Sequence, residues 1–139
     1  ELHDLGKISI PLDILNKPGK LSKLELSLIQ EHSGNCYNLI KDMEFPFPLA
    51  EIIYQHHERV DGTGYPRKLK DKEILMEAKI LAVSDALEAM VHHRPYRAAL
   101  GLDQACQELS SNKGIKYDPV VVEVLLSLIK NNENNFWMS

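Results

Sequence analysis

Cysteine is scarce: Cys36 and Cys106 are the two in the chain, far apart and in no CxxC pattern. Such usage suits reduced, structural thiols and a reducing, cytoplasmic setting. No apolar run approaches the ~20 residues that span a bilayer. No signal peptide is visible, so any membrane anchoring belongs to a parent protein. A strong charge of one sign is also missing. The net charge of -4 argues against non-specific nucleic-acid binding, which needs a basic surface. A local cluster of Lys and Arg can still hold a small nucleotide. There is no internal repeat and no strand signal. What is present is apolar substance: 44% of the 139 residues are hydrophobic, enough to build the core of one ordinary domain.

The chain opens on "ELHDLGKI", without a methionine. This reads as the end of a helix in progress, closing near Gly6, and implies a fragment of a longer protein. Pro11, Pro18 and Gly19 punctuate a loop around a short turn at residues 12–15. Ser22 and Glu25 form a capping-box pattern. Behind it Leu24, Leu28, Ile29, His32, Cys36, Leu39, Ile40 and Met43 recur at three- and four-residue steps, predicting one amphipathic helix over 22–43 with these residues inward. "EFPFP" breaks the chain, and a helix over 49–58 follows with Ile52 and Ile53 inward. A glycine turn covers 61–66. Helices over about 75–92 and 103–114 come next. Asp118–Pro119 supplies an N-cap and first-turn pair for a last helix to about Ile129. The reading is an all-α bundle over 1–131, with a polar tail over 132–139 in which Trp137 is the one docking residue.

Six side chains offer metal-ligand chemistry: His3, Asp4, His32, His56, His57 and Asp85. They fall on four different predicted helices or helix ends. His32 shares an inward stripe, where a polar group is costly unless paired. Asp85 sits in the apolar run "ILAVSDALEAM", where a buried carboxylate needs a cation or several donors. Taken singly, each has an ordinary structural explanation, and His92–His93 reads as a surface pair without a metal role. Taken together they supply a dinuclear site. Neighbouring histidines on a helix point about 100° apart and can straddle a metal cluster. An Asp following a His can bridge two ions. Nitrogen and carboxylate donors together suit first-row metals, and two-metal sites activate water for phosphodiester hydrolysis.

The stretches "HDLGKISIP", "LNKPGKLS", "HHERVDGTGYP", "VSDALEAM", "RPYRAAL" and "GIKYDPVVVEVLL" carry a family resemblance. Over residues 1 to about 126 the chain resembles the HD-GYP family, bacterial cyclic di-GMP phosphodiesterases of the HD metal-hydrolase superfamily. The resemblance implies an HD-type helical bundle, truncated here at its N-terminus. It implies two or more divalent ions held by His3, Asp4, His32, His56, His57 and Asp85, with Asp4 as the bridge. Iron or manganese leads, with zinc, nickel or magnesium as further options. Lys7 would stabilise charge on the scissile phosphate and act with Asp4 in catalysis. Tyr65 and Glu88 would contact the dinucleotide, and Arg94 and Arg97 would grip its phosphates or guanine. Glu58, Arg59 and Asp61 would brace the loop. Gly62 and Gly64 would turn it through positive φ.

Two departures stand out. The family's further ligand histidine lies on a helix before the HD pair, which this chain does not include. One metal position, built from His3, Asp4 and Asp85, is therefore short of a ligand. In addition, Glu88 stands where the family often has Asp. The expected activity is hydrolysis of cyclic di-GMP to pGpG or GMP in second-messenger signalling. The rival readings are a catalytically impaired cyclic di-GMP-binding or protein-interaction module, and a hydrolase of another nucleotide. The implied partners are an upstream receiver, PAS or GAF regulatory domain, a GGDEF domain and a second copy of the chain.

Overall fold

Residues 2–92 and 99–131 are described by a computed structural model. Among them every regular element is helical, and two isolated bridges, Asp61–Lys70 and Lys113–Tyr117, are the nearest thing to a sheet. None of the described helices is long and apolar enough to cross a membrane. Both cysteines are free thiols, Cys36 buried and Cys106 partly so.

The His3–Asp4 pair lies on a 3₁₀ segment, Leu2–Ser9. The turn does not close at Gly6, as the sequence suggested, but runs on to Ser9. Gly6 serves another purpose. A Cβ there would stand 1.9 Å from the His32 carbonyl oxygen, so the glycine lets this segment press directly on the helix that carries His32. Asn35 Nδ2 donates to Ser9 Oγ at 2.9 Å and Cys36 Sγ to the Leu2 carbonyl at 3.4 Å, fastening the same contact.

After α1 (Leu12–Leu15), helix α2 (Lys23–Gln30) starts on a complete capping box between Ser22 and Glu25. Lys17 binds the Glu25 carboxylate at 2.7 Å and ties down the preceding Pro–Gly loop. The single helix expected over 22–43 is in fact two, α2 and α3 (His32–Ile40). The break has a local cause. His32 Nδ1 takes the Ile29 carbonyl at 2.7 Å, and Ser33 Oγ reaches the Gln30 carbonyl at 3.4 Å. Side chains thus intercept acceptors that the helical ladder would use. The break also redirects the apolar stripe. His32, Ser33, Cys36 and Ile40 are buried, whereas Leu24, Leu39 and Met43 are exposed, contrary to the periodicity.

Helix α4 (Leu49–Gln55) buries Ile52 and Ile53 and stops three residues short of the expected Glu58, with His56 as its C-cap. Helix α5 (Met76–Val91) runs through the middle of the molecule. Its Val83, Leu87 and Met90 join Ala105 and Leu109 of α6 (Leu102–Ser111) and Val122 and Ile129 of α7 (Pro119–Asn131) in the main core. Ala78, nearer its start, packs with Ile52 and Ile74, while Cys36, Ile40 and Ile53 join α3 to α4. Asp118 Oδ1 accepts the Val120 and Val121 N–H groups at 2.9 and 3.2 Å, which opens α7 as the Asp–Pro pair predicts. The tail over 132–139, with Trp137, lies outside the described residues.

Two glycines one helix apart carry opposite expectations. Gly6→Ala forces a methyl into backbone and should cost ~3 kcal/mol or more. Gly34→Ala, on α3 with only Tyr54 at 3.7 Å, has room and should gain roughly 0.5–1 kcal/mol from helix propensity. Urea unfolding of the two variants checks both signs.

Candidate metal centre

Four elements deliver the predicted ligands to one place. The 3₁₀ segment brings His3 and Asp4, the first residue of α3 is His32, and α4 ends in His56 and His57. Asp85 comes from the third turn of α5. Ligand atoms of His32, His56 and His57 all lie within 4.8 Å of one another. The His3 ring packs edge-on against His56 at 5.1 Å between centroids, and His3 Nε2 pairs with Asp85 Oδ1 at 3.3 Å. Asp4 sits at the rim, with Lys7 Nζ at 2.5 Å and His3 Nε2 at 3.6 Å.

Backbone carbonyls set the tautomers. His32 Nδ1 faces the Ile29 oxygen at 2.7 Å, and His56 Nδ1 faces the Ile53 oxygen at 2.5 Å. A carbonyl can only accept, so each Nδ1 carries the proton. In a neutral ring the Nε2 then holds a bare lone pair. His32 Nε2 meets His57 Nε2 at 3.1 Å, and His56 Nε2 is fully buried without a hydrogen-bond partner. Buried polar atoms normally find partners. A cluster of inward lone pairs, one of them orphaned, beside carboxylates fits a divalent cation by the chemistry of its donors.

Burial also keeps the rings neutral. It is the main force lowering His56 to about 4 and pushing His32 and His57 below the ordinary histidine range. The mutual charge of the imidazoles adds to this for His56 and His57. Burial pushes the Asp85 carboxyl up, but the His3 hydrogen bond and the surrounding imidazoles outweigh it and hold Asp85 below the usual range. The Asp4 carboxyl follows the same pattern, with Lys7 supplying the main counterweight.

The loop after His57 is stiff for reasons that can be named. Glu58 is buried, and its carboxylate accepts the Arg67 and Leu69 N–H groups at 2.7 and 2.9 Å. Asp61 accepts from Thr63 N and Oγ1, at 2.9 and 2.7 Å. Arg59 donates to the Glu58 and His56 carbonyls and lies over the Tyr117 ring at 5.1 Å, so it does not simply face solvent. The two glycines differ in role. Gly62 has φ +82, whereas Gly64 does not need positive φ. A Cβ on Gly64 would lie 2.4–2.5 Å from the backbone of residues 57–59, so close approach demands that glycine. The Tyr65 ring is thereby stacked on His57, 4.7 Å between centroids and 24° apart.

The remaining expected contacts divide. Lys7 is at the centre's edge. Glu88 is exposed one turn beyond Asp85 and pairs with His92 at 3.4 Å. Arg94 and Arg97, and His93 with them, lie outside the described residues. Three residues that shape the site went unnoticed in the sequence. Gln55 accepts the Leu75 N–H at 2.7 Å and so joins α4 to the start of α5. Lys79, buried on α5, reaches Asp71 at 2.5 Å and Asp118 at 3.3 Å. A lone lysine in an apolar helix carried the same signal as Asp85. Arg67, in a polar loop, carried none.

The family model for the HD domain matches residues 1–121. The chain is 44% identical over 131 residues to the cyclic di-GMP phosphodiesterase of Thermotoga maritima, covering 93% of this chain and 36% of that protein. It is 38% identical over 119 residues to the 3′3′-cGAMP-specific phosphodiesterase 3 of Vibrio cholerae, covering 85% of this chain and 26% of that protein. The chain thus spans about a third of the length of such relatives. A solved HDG"Y"P protein from Bdellovibrio bacteriovorus superposes with a TM-score of 0.72 at 22% identity, over 92% of this chain and 40% of that one, which shows the all-α fold. Family match, motif and architecture agree: the chain belongs to the HD domain family, in its HD-GYP branch.

Proposed function

We propose that residues 1–131 form the catalytic domain of a metal-dependent phosphodiesterase that opens a cyclic dinucleotide, cyclic di-GMP before others, to pGpG or GMP. One observation carries the reading: His32, His56 and His57 bring ligand nitrogens within 4.8 Å of one another, with His56 Nε2 buried and without a hydrogen-bond partner. Relatives named as phosphodiesterases of cyclic di-GMP and of 3′3′-cGAMP support the substrate class. His3, Asp4, His32, His56, His57 and Asp85 would hold two or more divalent ions. The nitrogen-rich donor set favours iron, manganese, zinc or nickel over magnesium. Such ions supply a more acidic water and positive charge against the phosphate.

The chain's own groups account for binding and charge. Lys7, half-exposed and held by Asp4, presents an ammonium at the rim, where it would neutralise a phosphoryl oxygen as charge builds. The Tyr65 ring would wall the dinucleotide at the His57 side. Glu88 would meet it along α5, and Arg94 and Arg97 would supply forked donors to its phosphates or guanine. We extend the reading to a cytoplasmic protein with a fused receiver, PAS or GAF domain, a GGDEF partner and self-association. In it residues 132–139 form a tail outside the domain.

A second reading, a cyclic dinucleotide-binding module without turnover, draws on the Lys7–Asp4 pair: the carboxylate expected to bridge ions is occupied by an ammonium. Substitution separates the two. Asp4→Ala and His56→Ala should each lower metal content and cut turnover at least ~100-fold while leaving the helical signal nearly unchanged. Metal analysis with product chromatography reads the result. Undiminished turnover in chelated Asp4→Ala protein would exclude the mechanism.

The neutral imidazoles also fix a pH dependence. His56 falls from 6.5 to about 4 on folding. Between those values the unfolded chain binds more protons, so stability decreases as pH drops through that window. For His56, 1% exposed and lowered to about 4, the loss is on the order of 3 kcal/mol. Asp4 and Asp85, also lowered, add a further loss below the ordinary Asp value of 3.8. Melting curves of the chelated protein should therefore fall steadily from about pH 7 to about pH 5. A flat profile would mean the rings are not buried and neutral.

A further inference from the structure

Arg67 stands two residues after Tyr65, on a loop whose other end hangs from His57. Its backbone N–H is held by Glu58 Oε1 at 2.7 Å. Its guanidinium leaves the loop and crosses to α4, where Nη2 pairs with Glu51 Oε1 and Cζ lies over the Tyr54 ring at 4.8 Å. Tyr54 is itself stacked on Tyr37 of α3, 4.7 Å between centroids and 26° apart. Glu51 Oε1 is fixed from behind by Gln55 Nε2 at 2.7 Å, the same Gln55 that receives the Leu75 N–H. The guanidinium thus ties the loop to α4, whose Tyr54 and Gln55 in turn contact α3 and the entry of α5.

We infer that Arg67 is a positioning residue: its guanidinium clamp on Glu51 and Tyr54 holds the 61–70 loop in place, and with it the Tyr65 ring against His57. A free surface ion pair contributes little, because two long side chains must be ordered for a screened attraction. This pair differs in having a planar cation on an aromatic face and an acceptor already immobilised by Gln55. The Tyr65 ring is 4.7 Å from the His57 ring, so movement of the loop changes both the wall of the site and the surroundings of a central imidazole. The inference rests on the proposed reading in one respect, that Tyr65 faces the dinucleotide.

The test uses the full chain without added metal. The His57 Hε1 resonance, identified through His57→Gln, reports the Tyr65 ring current. Tyr65→Leu marks its position with the stack removed. Arg67→Ala should move the resonance toward that mark. Arg67→Lys, which keeps the charge and loses the planar fork, should move it in the same direction. Glu51→Gln removes the charged acceptor and carries the test if Arg67→Ala does not fold. On metal-loaded protein, Arg67→Ala should raise KM for cyclic di-GMP about tenfold with kcat within about threefold. A His57 resonance that keeps its wild-type position in both Arg67→Ala and Glu51→Gln overturns the inference. The resonance needs no turnover, so a moved signal in a chain without phosphodiesterase activity would sink the proposed reaction and leave the clamp standing.

Discussion

His32 and His56 commit their Nδ1 protons to carbonyls, and with His57 they hold their ligand nitrogens close together and largely away from water. That arrangement is unfavourable by itself. His56 Nε2 has no partner, and protonation, the usual relief, is opposed by burial and by the neighbouring rings. The molecule holds it through backbone contacts that cannot be relaxed cheaply. Gly6 allows the first segment to touch the His32 carbonyl. Gly64 brings the loop back onto residues 57–59. The carbonyls of Ile29 and Ile53 fix two ring orientations. Local strain of this kind is what a functional site costs, and the apolar core around α5 offsets it.

The same economy explains the shapes of the helices. His32 ends α2 by taking its carbonyl and then begins α3. His56 is the cap of α4, and its Nδ1 is held by the helix it leaves. The candidate ligands are therefore placed at helix ends, where acceptors are free to orient them. Asp85 is the exception, lying mid-helix. It is reached because α5 packs on α4 near its start and on α6 and α7 further along. Lys79 on the same helix uses Asp71 and Asp118 to tie the loop after the tyrosine to the start of α7.

Much of this was legible beforehand, and the reasons are local. The capping box at Ser22, the Asp118–Pro119 start and the long apolar run of α5 are short-range signals, and short-range hydrogen bonds decide them. The ligand residues were legible as chemistry, since an acid or imidazole on an apolar stripe must be explained. The break at Glu31 was not, because it depends on a side chain taking a carbonyl, which periodicity ignores. Leu24, Leu39 and Met43 were misplaced for that reason. The need for Gly64 is a contact between segments and leaves no trace in turn chemistry. The Arg67 clamp was invisible because a basic residue in a polar loop looks the same whether it faces water or a carboxylate.

Charge balance joins the two halves of the functional reading. Asp85 is held ionised in a partly buried place beside His3. Asp4 adds a second carboxylate, with Lys7 as its main counterweight. A phosphodiester brings one negative charge per phosphate. Two carboxylates against the Lys7 ammonium would oppose it, and a weakly screened interior magnifies that repulsion. Divalent cations held by these residues would reverse the sign and give the orphaned His56 Nε2 a partner. The anionic substrate and the metal are thus linked in the proposed reading, since bound cations would offset the carboxylates that oppose a phosphate.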